Sequence, residues 1–153
     1  MELEGMKAAL HRYLQIGREA LVWKLEGLSE YEIRRPTTPT GTNLLGIVKH
    51  VASVEAGYLG EIFGRPFTEP LPWFDEGAEP NADMWATADE TRQDIVGMYR
   101  RVWANSDATI EALDLASHAR ELGLDAQRVL DLVGLGEVLE QPPVVRGDVR
   151  LEV

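Results

Sequence analysis

The chain has 153 residues, 44% hydrophobic and 27% charged, enough for one domain with a core of its own. It holds no cysteine, which excludes thiolate nucleophiles, disulfides and cysteine-ligated zinc together. Its 26 acidic against 15 basic residues, a formal net charge of -11, argue against a nucleic-acid or anionic-membrane partner.

The start, Met1-Glu2-Leu3-Glu4-Gly5, is acidic with no apolar segment behind it. No run approaches the ~20 apolar residues of a membrane span. A soluble, cytoplasmic protein without a membrane partner is expected. Leu3, Met6, Leu10, Tyr13, Leu14, Gly17, Leu21, Leu25 and Leu28 recur at steps of three and four. That period predicts a first long helix from about Glu2 to Glu26, roughly 37 Å at 1.5 Å per residue. Ser29-Glu30-Tyr31-Glu32 has capping-box form and opens a short helical turn that ends before Pro36.

A second long helix starts at Thr42 or Asn43 and continues to about Phe63, where Gly64 stops it. Its expected buried stripe is Leu44, Ile47, Val48, Val51, Tyr58, Leu59 and Ile62. From Gly64 to Ala86 runs a long segment with Pro66, Pro70, Pro72 and Pro80 among Phe67, Trp73, Phe74 and Trp85. A connection of that length is functional or crosses the fold from end to end, which would let the second and third long helices run parallel. Thr87-Ala88-Asp89-Glu90 reads as a second capping box. The third long helix follows to about Leu113, on a stripe of Ile95, Tyr99, Val102, Ser106, Ile110 and Leu113.

After Leu115 the pattern changes. Asp125 to Leu132 has the period of two helical turns, Gly134, Gly136 and Pro142-Pro143 break it, and Val149 to Val153 alternates like a strand. Residues 1–115 therefore read as the core, and 116–153 as an atypical segment of the same domain, either a short fourth helix or poorly ordered.

Few residues carry chemistry. His50 lies off the centre of the apolar stripe, where a histidine either makes one hydrogen bond in the core or serves as a ligand. Glu55 falls near the middle of that stripe, and a buried carboxylate must find a partner. Either it pairs with Arg34, Arg35 or an arginine of the first helix, or it orients ligands or substrate by hydrogen bonding to them from behind. His11 reads as a solvated edge residue and His118 as part of the linker. Asp75, Glu76, Glu79 and Asp83 lack a calcium-loop register and read as a solvated face. Trp73, Phe74 and Trp85 form a lid or plug the end of the bundle. Gly27-Leu28-Ser29-Glu30-Tyr31 is no nucleophile elbow, Gly134-Leu135-Gly136 no dinucleotide fingerprint, and no phosphate-binding loop is present.

Several runs taken together resemble the DinB-like superfamily, in particular its mini-circle-protein, mycothiol-dependent branch. They are Tyr13-Leu14 with Arg18, the stretch from Gly27 to Arg34, and Leu44-Leu45-Gly46-Ile47-Val48-Lys49-His50-Val51 with Val54-Glu55. Trp73-Phe74, Asp89-Glu90-Thr91 and Tyr99 complete the likeness. The resemblance implies an all-α four-helix bundle with a long crossover between its second and third helices. It also implies a divalent metal (zinc, nickel or manganese) with His50 as a ligand, and a low-molecular-weight thiol such as mycothiol as cosubstrate. The implied activity is transfer of that thiol to a small molecule, or isomerisation through it. Relatives complete the metal site with a late-helix pair at HxxxH or ExxxH spacing. The only histidines here are His11, His50 and His118, and no such pair exists. Glu121, Asp125, Asp131 or Glu137 would have to replace it, unless the tail is diverged or frameshifted. The alternative is a non-catalytic helical protein that binds a small molecule or forms a homodimer across an apolar seam left open.

Overall fold

Four α-helices and no strand make up residues 3–114, the part of the chain that the computed structural model describes. They are α1 (Leu3–Trp23), α2 (Glu30–Arg34), α3 (Leu44–Leu59) and α4 (Arg92–Ala112). The all-α class is the expected one and agrees with a DinB-like helical bundle. The chain divides into two compact units, Lys7–Leu113 and Met1–Met6 with Asp114–Val153. All that follows, save the opening turn of α1, belongs to the first. The fourth helix, His118, the four replacement carboxylates and the strand-like terminus lie outside the described residues. No helix among the described residues is long and apolar enough to cross a membrane.

Local chemistry sets the helix ends. Helix α1 stops three residues earlier than its periodicity suggests, because its last bonds tighten: Glu26 N–H reaches the Trp23 carbonyl at 2.9 Å, and Gly27 turns the chain at φ 74. The capping box at Ser29 forms in full, with both the Ser29 side chain and Glu32 engaged. Asn43 caps α3 through its side chain. That helix ends at Leu59, since Gly60 and a 3-10 turn at Glu61–Phe63 follow before Gly64 adopts φ 66. Helix α4 starts one turn later than expected. Its cap is Thr91, which accepts from Asp94 N–H, while Glu90 folds back onto Thr87 N–H at 2.8 Å and closes a separate turn.

Cross-helix bonds give the directions. Lys7 Nζ donates to the Leu113 carbonyl at 2.6 Å, and Arg92 donates to the carbonyls of Leu25 and Leu28, so α1 and α4 are antiparallel. Lys49 meets Glu90 before the start of α4, and Gly60 faces Asn105 near its end, so α3 and α4 are parallel. Residues 60–91 are the crossover that such a pair requires.

The core is built from Leu45, Val48, Ala52 and Ala56 of α3, Ile95, Val96, Met98, Tyr99 and Val102 of α4, Ile33 of α2, and Leu25 and Ala86. Each fully buried Leu, Ile or Val among them contributes about 1.5–3 kcal/mol. On α4 the expected stripe is the buried one, except that Thr109 rather than Ile110 continues it. On α3 the buried face is rotated by roughly a quarter turn from the expected stripe. Tyr58 is 65% exposed and Ile62 also lies outside, while Ala52, Ser53, Glu55 and Ala56 are inside. Small residues let α4 pack closely, and weighting the large apolar side chains alone misses them. Tyr13 of α1 is 72% exposed, while Arg18 on the same helix is buried.

Candidate active site

His50 is the sequence-derived site residue that keeps an accessible ring. It lies on the α3 face turned toward the crossover, with its side chain 40% exposed. Its Nδ1 pairs with Asp83 Oδ2 at 2.6 Å, and that carboxylate is 11% exposed. Asp83 is therefore no part of a solvated face. A 3-10 turn at Ala82–Met84, entered through Asn81 in the left-handed conformation at φ 61, carries it inward. Nothing periodic marks such a residue in a sequence, because its position comes from the loop's path and not from a helix.

The crossover covers the neighbouring part of α3. Trp73 Nε1 donates to Ser53 Oγ at 2.8 Å, and Ser53 donates in turn to the Lys49 carbonyl. Lys49 is buried, with Nζ 2.8 Å from Glu90 Oε1 and 4.7 Å from the Trp73 ring centroid. The buried ammonium thus has one carboxylate and one aromatic face as neighbours. Of the loop aromatics, Trp73 packs against the core along α3 and Phe74 stays exposed.

Glu55 is committed elsewhere. It takes two bonds from Arg18 of α1, Nη2–Oε1 at 2.5 Å and Nε–Oε2 at 3.2 Å. The two side chains are 6% and 1% exposed. This is the ion pair with a first-helix arginine that the sequence left open. Arg18 Nη1 also reaches Asp107 of α4 at 2.6 Å. Asp107 in turn pairs with His11 Nε2 at 2.8 Å and accepts from Gln15 Nε2 at 2.8 Å. His11 is thus no solvated edge residue but part of a network joining three helices. Burial alone would lower the Arg18 pKa, but its hydrogen bonds to Glu55 and Asp107 hold it above its ordinary value. Burial likewise pushes Asp107 up, and the bonds from Arg18 and His11 outweigh it, so the carboxyl sits below the ordinary range. Burial and the Glu55 charge raise the Tyr99 phenol. The sequence signal for Asp107 was slight: a carboxylate one position past the buried Ser106.

A family model described as mycothiol-S-transferase matches residues 9–132. The chain belongs to the mycothiol-S-transferase family. No curated protein and no solved structure matches it. Membership is consistent with the DinB-like, mycothiol-dependent branch and supports a mycothiol-related S-transferase type of function, with a thiol cosubstrate. The 153 residues hold no cysteine, so no thiolate of their own is available as a nucleophile.

The fit of a metal to this chain follows from its donors. Among the described residues no group of three or more His, Asp or Glu side chains converges as a metal site. Glu55 is taken up by Arg18, Asp107 by Arg18, His11 and Gln15, and among the described residues no third such donor joins His50 and Asp83. A single imidazole oriented by a carboxylate does not by itself fit a divalent ion, which takes three protein ligands beside an open position. It does fit a histidine with a fixed ring and one free nitrogen.

Proposed function

We propose that this mycothiol-S-transferase family member moves a low-molecular-weight thiol onto an electrophilic small molecule, with His50 as the group that accepts the thiol proton. The observation carrying this is the 2.6 Å pairing of His50 Nδ1 with a carboxylate that is itself nearly buried. Asp83 accepting from Nδ1–H leaves Nε2 as the free base and stabilises the imidazolium that forms, the same division of labour as in a catalytic triad. The thiol gives its proton to Nε2, and the sulfur's electron pair forms the new bond to carbon. The leaving group departs with its own pair and takes the proton back from the ring. In an isomerisation the sulfur instead adds to an activated carbon–carbon double bond, the resulting single bond rotates, and elimination re-forms the double bond and expels the thiol, which takes its proton back from the ring.

His50 Nε2 is also the atom that would bind zinc, nickel or manganese. Since the described donors do not complete a metal site, no step here passes through an ion. The reading is tested by following thiol consumption with an electrophilic acceptor. His50→Gln is expected to lower kcat by at least about 100-fold, the lower range for positioned general-base catalysis. Elemental analysis of the same preparation, made without a histidine tag, shows whether an ion accompanies the activity.

One feature favours the non-catalytic alternative. An apolar groove of about 540 Å³ runs between α1 and α3, lined by Leu14, Leu21, Val51, Val54 and Leu59, with the Arg18–Glu55 pair among its walls. With Tyr13 and Tyr58 exposed beside it, the groove suits a small apolar ligand or a second copy of the chain. Under that reading His50→Gln leaves ligand binding and sedimentation behaviour unchanged, and no thiol is consumed.

A further inference from the structure

Helix α3 carries two glycines with opposite surroundings. A Cβ on Gly57 would meet nothing within 4 Å, whereas one on Gly46 would lie well under 3.0 Å from the Met84 carbonyl and the Trp85 Cα. Glycine within a helix is unfavourable in itself. At position 46 its bare backbone admits another chain segment that no side chain would allow so close. That segment is the one that carries Asp83. Gly46 and His50 stand four residues apart and share a helix face, and the turn at Ala82–Met84 lies across it.

Asn43 fastens the same segment from the end of the helix. Its backbone N–H donates to the Met84 carbonyl at 3.2 Å. Its Nδ2 donates to the carbonyls of Ala86 and Arg34, each at 3.1 Å. Its Oδ1 accepts from Ala86 N–H at 3.1 Å and from Gly46 N–H at 2.7 Å. One side chain thus caps α3 and holds residues 84–86 on it.

We infer that Gly46, with Asn43, is a positioning residue for His50. The bare helix face seats the backbone of residues 84 and 85, and that seat delivers the Asp83 carboxylate to His50 Nδ1. The inference rests on the reading of His50 as the reactive group. A methyl group at 46 must displace the segment, and a hydrogen bond of 2.6 Å does not survive a shift of about 1 Å. Shortening the Met84 or Trp85 side chain gives no relief, because the obstructing atoms are backbone.

The test is proton NMR of the His50 ring N–H in the full chain. A short bond to a carboxylate moves that resonance far downfield, and its loss in Asp83→Asn assigns it. The resonance is expected in the wild type and in Gly57→Ala, and is expected to vanish in Gly46→Ala. Thiol transfer should fall by the same factor in Gly46→Ala and Asp83→Asn, on the order of 10- to 100-fold. The double variant should be no slower than either single one, because both remove the same contact. Retention of the resonance in Gly46→Ala, or its absence from the wild type, overturns the positioning role. If Gly46→Ala does not fold, Asn43→Asp replaces it. That change keeps the capping oxygen and removes both Nδ2 donors, and an undiminished resonance there overturns the role equally. A wild-type rate in Asp83→Asn counts only against His50 as a base oriented by Asp83; a resonance retained in Gly46→Ala counts only against the positioning role.

Discussion

Arg18 and Glu55 show how a charged residue comes to sit inside a small helical domain. Each is nearly buried, and each finds the other through two hydrogen bonds. Removing one partner strands the other charge without water, so Arg18→Ala or Glu55→Ala is expected to cost about 3–5 kcal/mol in chemical denaturation. Asp107 adds a pH dependence. Its folded pKa lies below the ordinary aspartate value of about 4, so its stabilising contribution is whole above that pH. The contribution is lost as pH falls through the depressed folded value. Asp107→Asn should therefore flatten the acid limb of a stability–pH curve. The sequence displayed Glu55 as anomalous because a carboxylate stood in an apolar stripe. It could not say which arginine answered, since that depends on how α1 and α3 are set against each other.

Helix ends were legible wherever one residue decides them. Ser29 with Glu32 and Asn43 each did what their side chains require, whereas Gly64 ends only the 3-10 turn beyond α3, which Gly60 had already closed. The start of α4 was not, because Thr87 with Glu90 and Thr91 with Asp94 present the same spacing four residues apart. Thr91 holds the cap, so Thr91→Ala should lower stability by about 1 kcal/mol. Thr87→Ala should cost a few tenths at most, because Glu90 bonds the backbone N–H at 87 and that bond survives the change. Equal losses at the two positions, measured by thermal and urea unfolding, would contradict the assigned helix start. The face of α3 was legible only in part. Tyr58 and Ile62 drew the expected stripe toward solvent, while Gly46, Ala52 and Ala56, too small to register as apolar, mark where other segments come close.

Across the whole molecule the crossover does more than connect. By returning residues 60–91 along the bundle it makes α3 and α4 parallel, and on the way it lays Trp73 against Lys49 and Ser53 and Asp83 against His50. The length of the segment predicted the crossing. Its bonding to His50 was not predictable, because the two partners stand 33 residues apart and the loop carries no period to fix their register. Two centres result. One is the accessible His50–Asp83 pair, and the other is the closed Arg18 network that holds α1 against α3 and α4. The most direct measurement is the rate of thiol transfer to an electrophilic acceptor, compared between the wild type and His50→Gln at matched folded content. A rate that falls at least about 100-fold in the variant is the expected result. Equal rates in the two proteins would contradict a catalytic role for His50.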